Sequence, residues 1–182
     1  MNIVLIGMMA SGKSTVGRVL AEMLGRPFLD TDAMVEAEAN RSIPAIFAEE
    51  GEAGFRAREA RAVAAATSVD GRVIATGGGA VLSPANRELL RRGSLVFWLD
   101  ASPEELCARA VKQDVAGRPL LAGDALAQIR SRLKSRAAAY AAAAHHRIWV
   151  EGCSATGVAD AVLTIVKAAE GDIGHAAGTG KP

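Results

Sequence analysis

The sequence has few cysteines and few aromatic residues. Its two cysteines, Cys107 and Cys153, stand far apart and form no CxxC pair, so they predict neither a disulfide framework nor a thiolate metal site. Only 4% of the 182 residues are aromatic although half are apolar, so the core must consist mainly of Val, Leu, Ile and Ala. This composition excludes a disordered chain and is typical of one globular domain.

The sequence also has almost no net charge and no long apolar run. Its 21 basic and 20 acidic residues leave a formal charge of +1, which argues against a general attraction to nucleic acid or to membranes. No stretch approaches the roughly 20 apolar residues that span a bilayer. The apolar start lacks a basic leader and predicts a buried strand rather than a signal peptide. We expect a cytoplasmic monomer that acts on small molecules.

Short apolar runs alternate with segments of helical periodicity. The runs predict strands at residues 3–6, 27–30, 72–75, 95–99 and 148–150. The periodic segments predict a first helix after residue 14 and further helices at 42–50, 52–67, 83–92, 102–112, 124–144 and 156–169. Ser102 before a proline marks one helix start, and Glu105 completes a capping box there. The alternation predicts an α/β fold in which a five-stranded parallel sheet lies between two layers of helices.

Two segments fall outside this alternation. Residues 113–123 contain the sequence G-R-P and predict an exposed, mobile loop between two helices. Residues 171–182 are small, polar and rich in glycine, and they predict a disordered tail. We therefore expect one domain over residues 1–170, followed by that tail.

Residues 7–14 read G-M-M-A-S-G-K-S and match the phosphate-loop pattern G-x-x-x-x-G-K-[ST]. Glycines in such a loop let successive N–H groups turn inward at the start of a helix, where the helix dipole adds to the attraction for anions. Lys13 would reach the β- and γ-phosphates, and the Ser14 hydroxyl would bind Mg²⁺. The motif predicts nucleotide binding without specifying the reaction, and the short chain favours a metabolite or nucleotide kinase.

Asp30 and Asp32 follow the second predicted strand, at the sheet edge where open α/β folds bind ligands. Two carboxylates at these alternate positions cannot easily share one role, so one can serve the Mg²⁺ shell and the other can act as general base on an acceptor hydroxyl. Alternatively, Asp32 only caps the next helix. These residues alone leave both interpretations open.

Three consecutive glycines, residues 77–79, follow the third predicted strand and suggest that the backbone approaches a ligand closely. They combine with the phosphate loop, with D-T-D at residues 30–32, with F-R-x-x-E at 55–59 and with R-P-L-L at 118–121. This ordered set, spread over about residues 1–150, resembles the shikimate kinases. The resemblance implies a P-loop NTPase fold of the nucleoside monophosphate kinase type and transfer of the ATP γ-phosphate to the 3-hydroxyl of shikimate, in aromatic amino acid biosynthesis.

The resemblance also implies a role for each matching residue on the acceptor side. Asp30 would support the metal through water, and Asp32 would bind and activate the acceptor hydroxyl. Arg56 and Arg136 would hold the shikimate carboxylate, a role that suits a planar bidentate donor. The backbone at Gly78 and Gly79 would contact substrate and γ-phosphate, and two phenylalanines would form the apolar wall. The implied substrate-binding residues are Asp32, Phe47, Phe55, Arg56, Gly78 and Arg136.

On the nucleotide side the resemblance implies Mg²⁺-ATP held by the phosphate loop. Arg118 would close over the transferring phosphate as part of a lid, so that it joins Lys13 and Asp32 as a catalytic residue. Arg109 would flank adenine, although the segment between it and the lid arginine is slightly longer than is usual in the family. The implied nucleotide-binding residues are Gly7, Ala10, Ser11, Gly12, Lys13, Ser14, Thr15, Arg109 and Arg118, with Ser14 and Asp30 at the metal.

Several of these residues have simpler interpretations. Phe47 and Phe55 can be plain core, and Arg109 and Arg136 can belong to solvated helix faces. The family's proline after Arg136 is replaced here by alanines, although Tyr140 keeps its spacing. His145 and His146 need no catalytic role, because interaction with the dipole at a helix end is a sufficient explanation for them.

Two other functions stay open at this point. One is a kinase for a different small hydroxy acid such as gluconate, and the other is a non-catalytic nucleotide-binding relative. The paired arginines and the three glycines favour shikimate over the first. The intact set of Lys13, Ser14, Asp32 and Arg118 argues against the second.

Overall fold

The computed structural model describes residues 1–113 and 124–176. Its five strands are all parallel, and β1, the first apolar run, lies at the centre of the sheet order β2-β3-β1-β4-β5. The predicted α/β fold with five parallel strands is therefore confirmed. The strands are β1 (Asn2–Ile6), β2 (Phe28–Asp30), β3 (Val73–Ala75), β4 (Ser94–Asp100) and β5 (His146–Trp149).

Seven helices are described, and they cover both faces of this sheet. They are α1 (Lys13–Leu24), α2 (Thr31–Ala39), α3 (Ile43–Thr67), α4 (Pro84–Arg91), α5 (Pro103–Gln113), α6 (Ala125–Ala143) and α7 (Ala155–Ala176), with a 3₁₀ turn at Ala80–Leu82. Of the helices in the described part of the chain, none is both long enough and apolar enough to cross a bilayer.

The central strands are apolar on both faces because each face supports a separate core. Ile3 and Leu5 of β1 pack with α1, α5 and α7 on one side. Val4 and Ile6 pack with α3, α4 and α6 on the other. A third, small cluster around Val35 joins α2 to α3. This part of the molecule therefore has its own small core.

Several helix predictions need correction. The whole of α2 was missed, because a helix follows β2 without any intervening loop. The two helices predicted at residues 42–50 and 52–67 are confirmed: they share the label α3, but Gly51 separates them with a φ of 69° that is not helical. The last helix continues to Ala176, into the segment predicted as a tail, and residues 177–182 lie outside the described residues, as does most of the predicted loop at 113–123.

The predicted capping box at α5 is only half formed. The Ser102 hydroxyl accepts from the Glu105 N–H at 3.2 Å, as predicted. The return bond is absent, because the Ser102 N–H donates to Glu151 and the Glu105 carboxylate accepts from Arg109 instead. The Glu151 side chain, which follows β5, thus takes the place of Glu105 in the cap.

His145 connects the end of α6 to strand β4. Its N–H donates to the Val96 carbonyl at 2.8 Å, and its Nδ1 accepts from the Val96 N–H at 3.0 Å. Burial, together with the positive charges of Arg91 and His146, lowers the pKa of the His145 ring. The ring is thus held by the backbone of β4, a contact that the explanation from the helix end does not include.

The pairing of His145 with Val96 makes stability depend on pH. In the folded protein the pKa of the His145 ring lies below its ordinary value of about 6.5. The contribution of this ring to the stability of the folded state is therefore fully present above pH 6.5 and is lost as the pH falls through the folded pKa. Asn can offer Oδ1 in place of Nδ1 but does not titrate. We expect His145→Asn to lose less stability than the wild type between pH 7.5 and pH 5, as measured by urea unfolding. Parallel losses in the two proteins would contradict this role.

Candidate active site

The phosphate loop leaves β1 and turns into α1 within residues 7–14. Gly7 and Gly12 have φ values of 146° and 90°, and a Cβ on Gly7 would lie 2.4 Å from the Leu99 carbonyl oxygen. Ala10 adopts a φ of 61° despite its side chain. Gly12 caps α1 but has no side chain that could accept from the first helical amides. The loop therefore offers main-chain N–H groups at the positive end of a helix, as anion binding requires.

Ser14 and Asp30 join the phosphate loop to the acceptor side. The Ser14 hydroxyl donates to Asp30 Oδ2 at 2.6 Å, while Asp30 Oδ1 accepts from the Asp32 N–H at 3.0 Å. Asp30 is thus the N-cap of α2, and Asp32 lies in the first helical turn. The alternative that Asp32 caps the helix is wrong, because Asp30 is the cap. The division of roles between the two carboxylates stays a prediction.

These two residues also provide a suitable environment for Mg²⁺. A hydroxyl oxygen and a carboxylate oxygen are hard donors, and Mg²⁺ is usually bound by one or two carboxylates together with substrate phosphates. Within residues 1–113 and 124–176 there is no cluster of three or more His, Cys, Asp or Glu side chains that could hold a metal alone. The pair therefore fits an ion that arrives with a nucleotide.

The glycine segment, residues 77–79, lies directly against the acidic residues. A Cβ on Gly77 would lie 2.4 Å from Asp32 Oδ1 and 3.0 Å from Glu59 Oε1. The Gly77 N–H donates to the Thr31 hydroxyl at 3.0 Å. A side chain at Gly77 would displace the Asp32 carboxylate, and the bond to Thr31 holds the start of α2 beside the end of β3.

Arg56 lies at the other end of the glycine segment. Its Nη1 donates to Glu59 Oε2 at 2.8 Å, and a Cβ on Gly79 would lie 2.4 Å from the same nitrogen. Glu59 is 2% exposed, and burial raises the pKa of its carboxyl, with the Arg56 guanidinium opposing that shift. Glu59 Oε1 has no hydrogen-bond partner among the described residues. The buried carboxylate therefore holds Arg56 against the glycines.

Arg136 reaches the same segment from α6. Its Nη1 donates to the Gly78 carbonyl at 3.2 Å, so two guanidinium groups from different helices meet at neighbouring glycines. Phe47 and Phe55 stack nearby with ring centroids 4.5 Å apart. Phe55 is buried in the small core, whereas Phe47 is 38% exposed. Phe55 is therefore a core residue, and Phe47 keeps a surface that could contact a ligand.

A cavity of about 160 Å³ opens on the other side of the phosphate loop. Its wall includes Ala10, Ser11, Gly12, Thr15, Arg109, Val150 and Cys153. Arg109 is fixed at the edge of this cavity, because it donates to Glu105 at 2.6 Å and to the Val150 carbonyl at 2.9 Å. The predicted adenine-flanking residue thus lies beside the phosphate loop rather than on a solvated helix face.

The remaining predicted residues have separate outcomes. Lys13 folds back over the loop and donates to the Met8 carbonyl at 2.8 Å. Arg118 lies outside the described residues. Sequence reasoning missed Thr31, which holds Gly77, and Cys153, which lines the cavity. No spacing in the sequence signals either contact.

Comparison with known proteins identifies the family. A sequence model described as shikimate kinase matches residues 9–167. The shikimate kinase of Symbiobacterium thermophilum is 59% identical over 149 residues, which cover 81% of this chain and 86% of that protein. The structure of a shikimate kinase from Acinetobacter baumannii in complex with shikimate matches with a TM-score of 0.86 and 39% identity, over 92% of this chain and 93% of the other.

A gluconokinase from Sinorhizobium meliloti is a more distant structural neighbour. It matches with a TM-score of 0.56 and 18% identity over 96% of each chain, which shows a common fold and nothing further. The family model spans four of the five strands and every predicted site residue except Gly7. This chain belongs to the shikimate kinase family.

Proposed function

We propose that this chain transfers the γ-phosphoryl group of ATP to the 3-hydroxyl of shikimate, yielding shikimate 3-phosphate and ADP. One observation carries the proposal: Asp32, Arg56 and Arg136 all converge on a glycine segment that packs against the phosphate loop. A donor phosphate on one side would therefore face an acidic, arginine-lined acceptor site on the other.

The acceptor site suits a hydroxylated carboxylic acid. Arg56 and Arg136 come from α3 and α6, and both guanidinium groups lie at the glycine segment. Two arginines provide the charge and the planar donors that bind a carboxylate well. With the carboxylate held there, a ring hydroxyl of the acceptor can approach Asp32 as general base.

On the donor side, the amides of residues 7–14 and Lys13 would bind the phosphates, while Arg109 and Thr15 flank the base. Ser14 and Asp30 would hold Mg²⁺, which when bound neutralises charge on the phosphate oxygens. Arg118 is proposed to close over the transferring phosphate. Phosphoryl transfer depends mainly on alignment and positive charge, which these residues would supply. We also propose that the protein works as a monomer in the cytoplasm.

Neither alternative function has a specific observation in its favour. The gluconokinase resemblance extends to the fold alone. A non-catalytic relative would not need the Ser14 and Asp30 pair beside the phosphate loop together with Asp32 beside the glycines.

An acceptor panel tests the proposed function. Purified protein with Mg²⁺-ATP should release ADP with shikimate, and much less with gluconate or with no acceptor. Mass spectrometry should show one added phosphoryl group on shikimate. ADP release that depends on gluconate would support the other kinase, and calorimetric binding of shikimate without ADP release would support the non-catalytic alternative.

Asp32→Asn tests the proposed base. The amide keeps the shape of the carboxylate but cannot take the proton, so kcat should fall about 100-fold or more while the KM for ATP changes little. Asp70→Asn is the control, because Asp70 is exposed and pairs with the amino terminus at 3.4 Å. Near-normal turnover of the Asp32 variant would remove this residue from the mechanism.

Arg56→Met tests carboxylate recognition. The KM for shikimate should rise about 10- to 100-fold, the scale of lost hydrogen bonds to charged groups, while the KM for ATP stays close to the wild-type value. Arg58→Met is a matched control on the same helix, since Arg58 pairs with Glu50 at 2.9 Å instead. Equal changes in the two variants would argue against a specific role for Arg56.

A further inference from the structure

Gly78 lies where the donor and acceptor sides of the site meet. A Cβ on Gly78 would lie 3.5 Å from both the Gly7 oxygen and the Met9 nitrogen, so this glycine touches the phosphate loop itself. Its carbonyl accepts two hydrogen bonds, from Arg136 Nη1 at 3.2 Å and from the Tyr140 hydroxyl at 2.6 Å. The orientation of the peptide that follows Gly78 is therefore fixed by two donors on α6.

Tyr140 is a buried and permanent donor in this pair. It is fully buried, and burial raises its pKa to about 12, against the opposing charge of Arg136. The hydroxyl therefore keeps its proton at any pH where the enzyme works. Its oxygen also lies 4.0 Å from the sulfur of Met8, so the same side chain contacts the phosphate loop.

The Tyr140 ring is supported from behind by an aromatic stack. Trp98 lies against it with ring centroids 5.5 Å apart and planes 23° apart. The Arg147 guanidinium lies over the Trp98 ring, 4.6 Å from its centroid, and Arg147 Nε donates to Asp100 at 2.9 Å. Because Trp98 and Arg147 belong to strands β4 and β5, the hydroxyl is fixed relative to the sheet.

We infer that Tyr140 is a positioning residue for phosphoryl transfer. In a trans peptide the carbonyl and the following N–H point in opposite directions. By holding the Gly78 carbonyl toward α6, Tyr140 turns the Gly79 N–H away from α6, toward the transferring phosphate. This role rests on the proposed function, in which the glycine segment lines the path between donor and acceptor.

The inference predicts a specific kinetic pattern for Tyr140→Phe. This variant keeps the stacked ring and loses the hydroxyl, which touches neither substrate in the proposed arrangement. The kcat with shikimate should fall about five- to tenfold, the scale of one hydrogen bond, while the KM values for ATP and shikimate stay within about twofold of the wild type. If Tyr140 had only a structural role, Tyr140→Phe would lower the melting temperature and leave kcat per folded molecule unchanged.

Thr67→Val is the matched control. The Thr67 hydroxyl donates to the Val63 carbonyl at 2.9 Å, so this bond also joins a hydroxyl to a main-chain carbonyl. Thr67 ends α3 and precedes the start of β3, whereas the glycine segment follows the end of β3. Melting temperatures of all variants should be measured beside the kinetics. The control should keep the wild-type kcat even where its melting temperature falls.

The outcomes separate this inference from the proposed function. If the wild type fails to phosphorylate shikimate, the proposed function fails. If the wild type is active and Tyr140→Phe keeps the same kcat, only the role of Tyr140 is overturned. Should Tyr140→Phe not fold, Trp98→Phe retains the hydroxyl but loosens its support, and it should lower kcat with both KM values unchanged. An unaltered kcat in that variant would overturn the inference.

Discussion

The site depends on close contact between a glycine segment and three other parts of the chain. Asp32 lies against Gly77, the phosphate loop lies against Gly78, and Arg56 lies against Gly79. At Gly77 and Gly79 a side chain would need the space that the carboxylate or the guanidinium occupies. The absence of side chains at residues 77–79 therefore brings the phosphate loop, Asp32 and Arg56 close together, where we propose that the two substrates meet.

Positive charge is concentrated at this site, and a buried carboxylate holds part of it in place. The chain carries a formal charge of only +1, yet two arginines meet at the glycines. Glu59 holds one of them from a buried position, and the raised pKa of its carboxyl reflects the cost of that burial. Such an arrangement attracts an acidic acceptor to one point without making the whole surface basic.

Local patterns predicted the phosphate loop and the five strands well, because apolar runs and glycine spacing act over a few residues. They failed at α2, where a helix begins directly after β2 and places Asp32 in its first turn. They also failed at His145, which pairs with a strand that lies 49 residues earlier in the chain. The bond from Tyr140 to Gly78 spans 62 residues, so only the folded chain reveals it.

The central claim is that an acceptor hydroxyl meets the donor phosphate at Asp32, beside the glycine segment. A crystal structure of the complex with ADP and shikimate tests it most directly. The account predicts that the Asp32 carboxylate lies about 2.6–3.2 Å from the 3-hydroxyl, with that hydroxyl facing the phosphate loop. A complex in which this carboxylate points away from the acceptor, with the hydroxyl held by other residues, would contradict it.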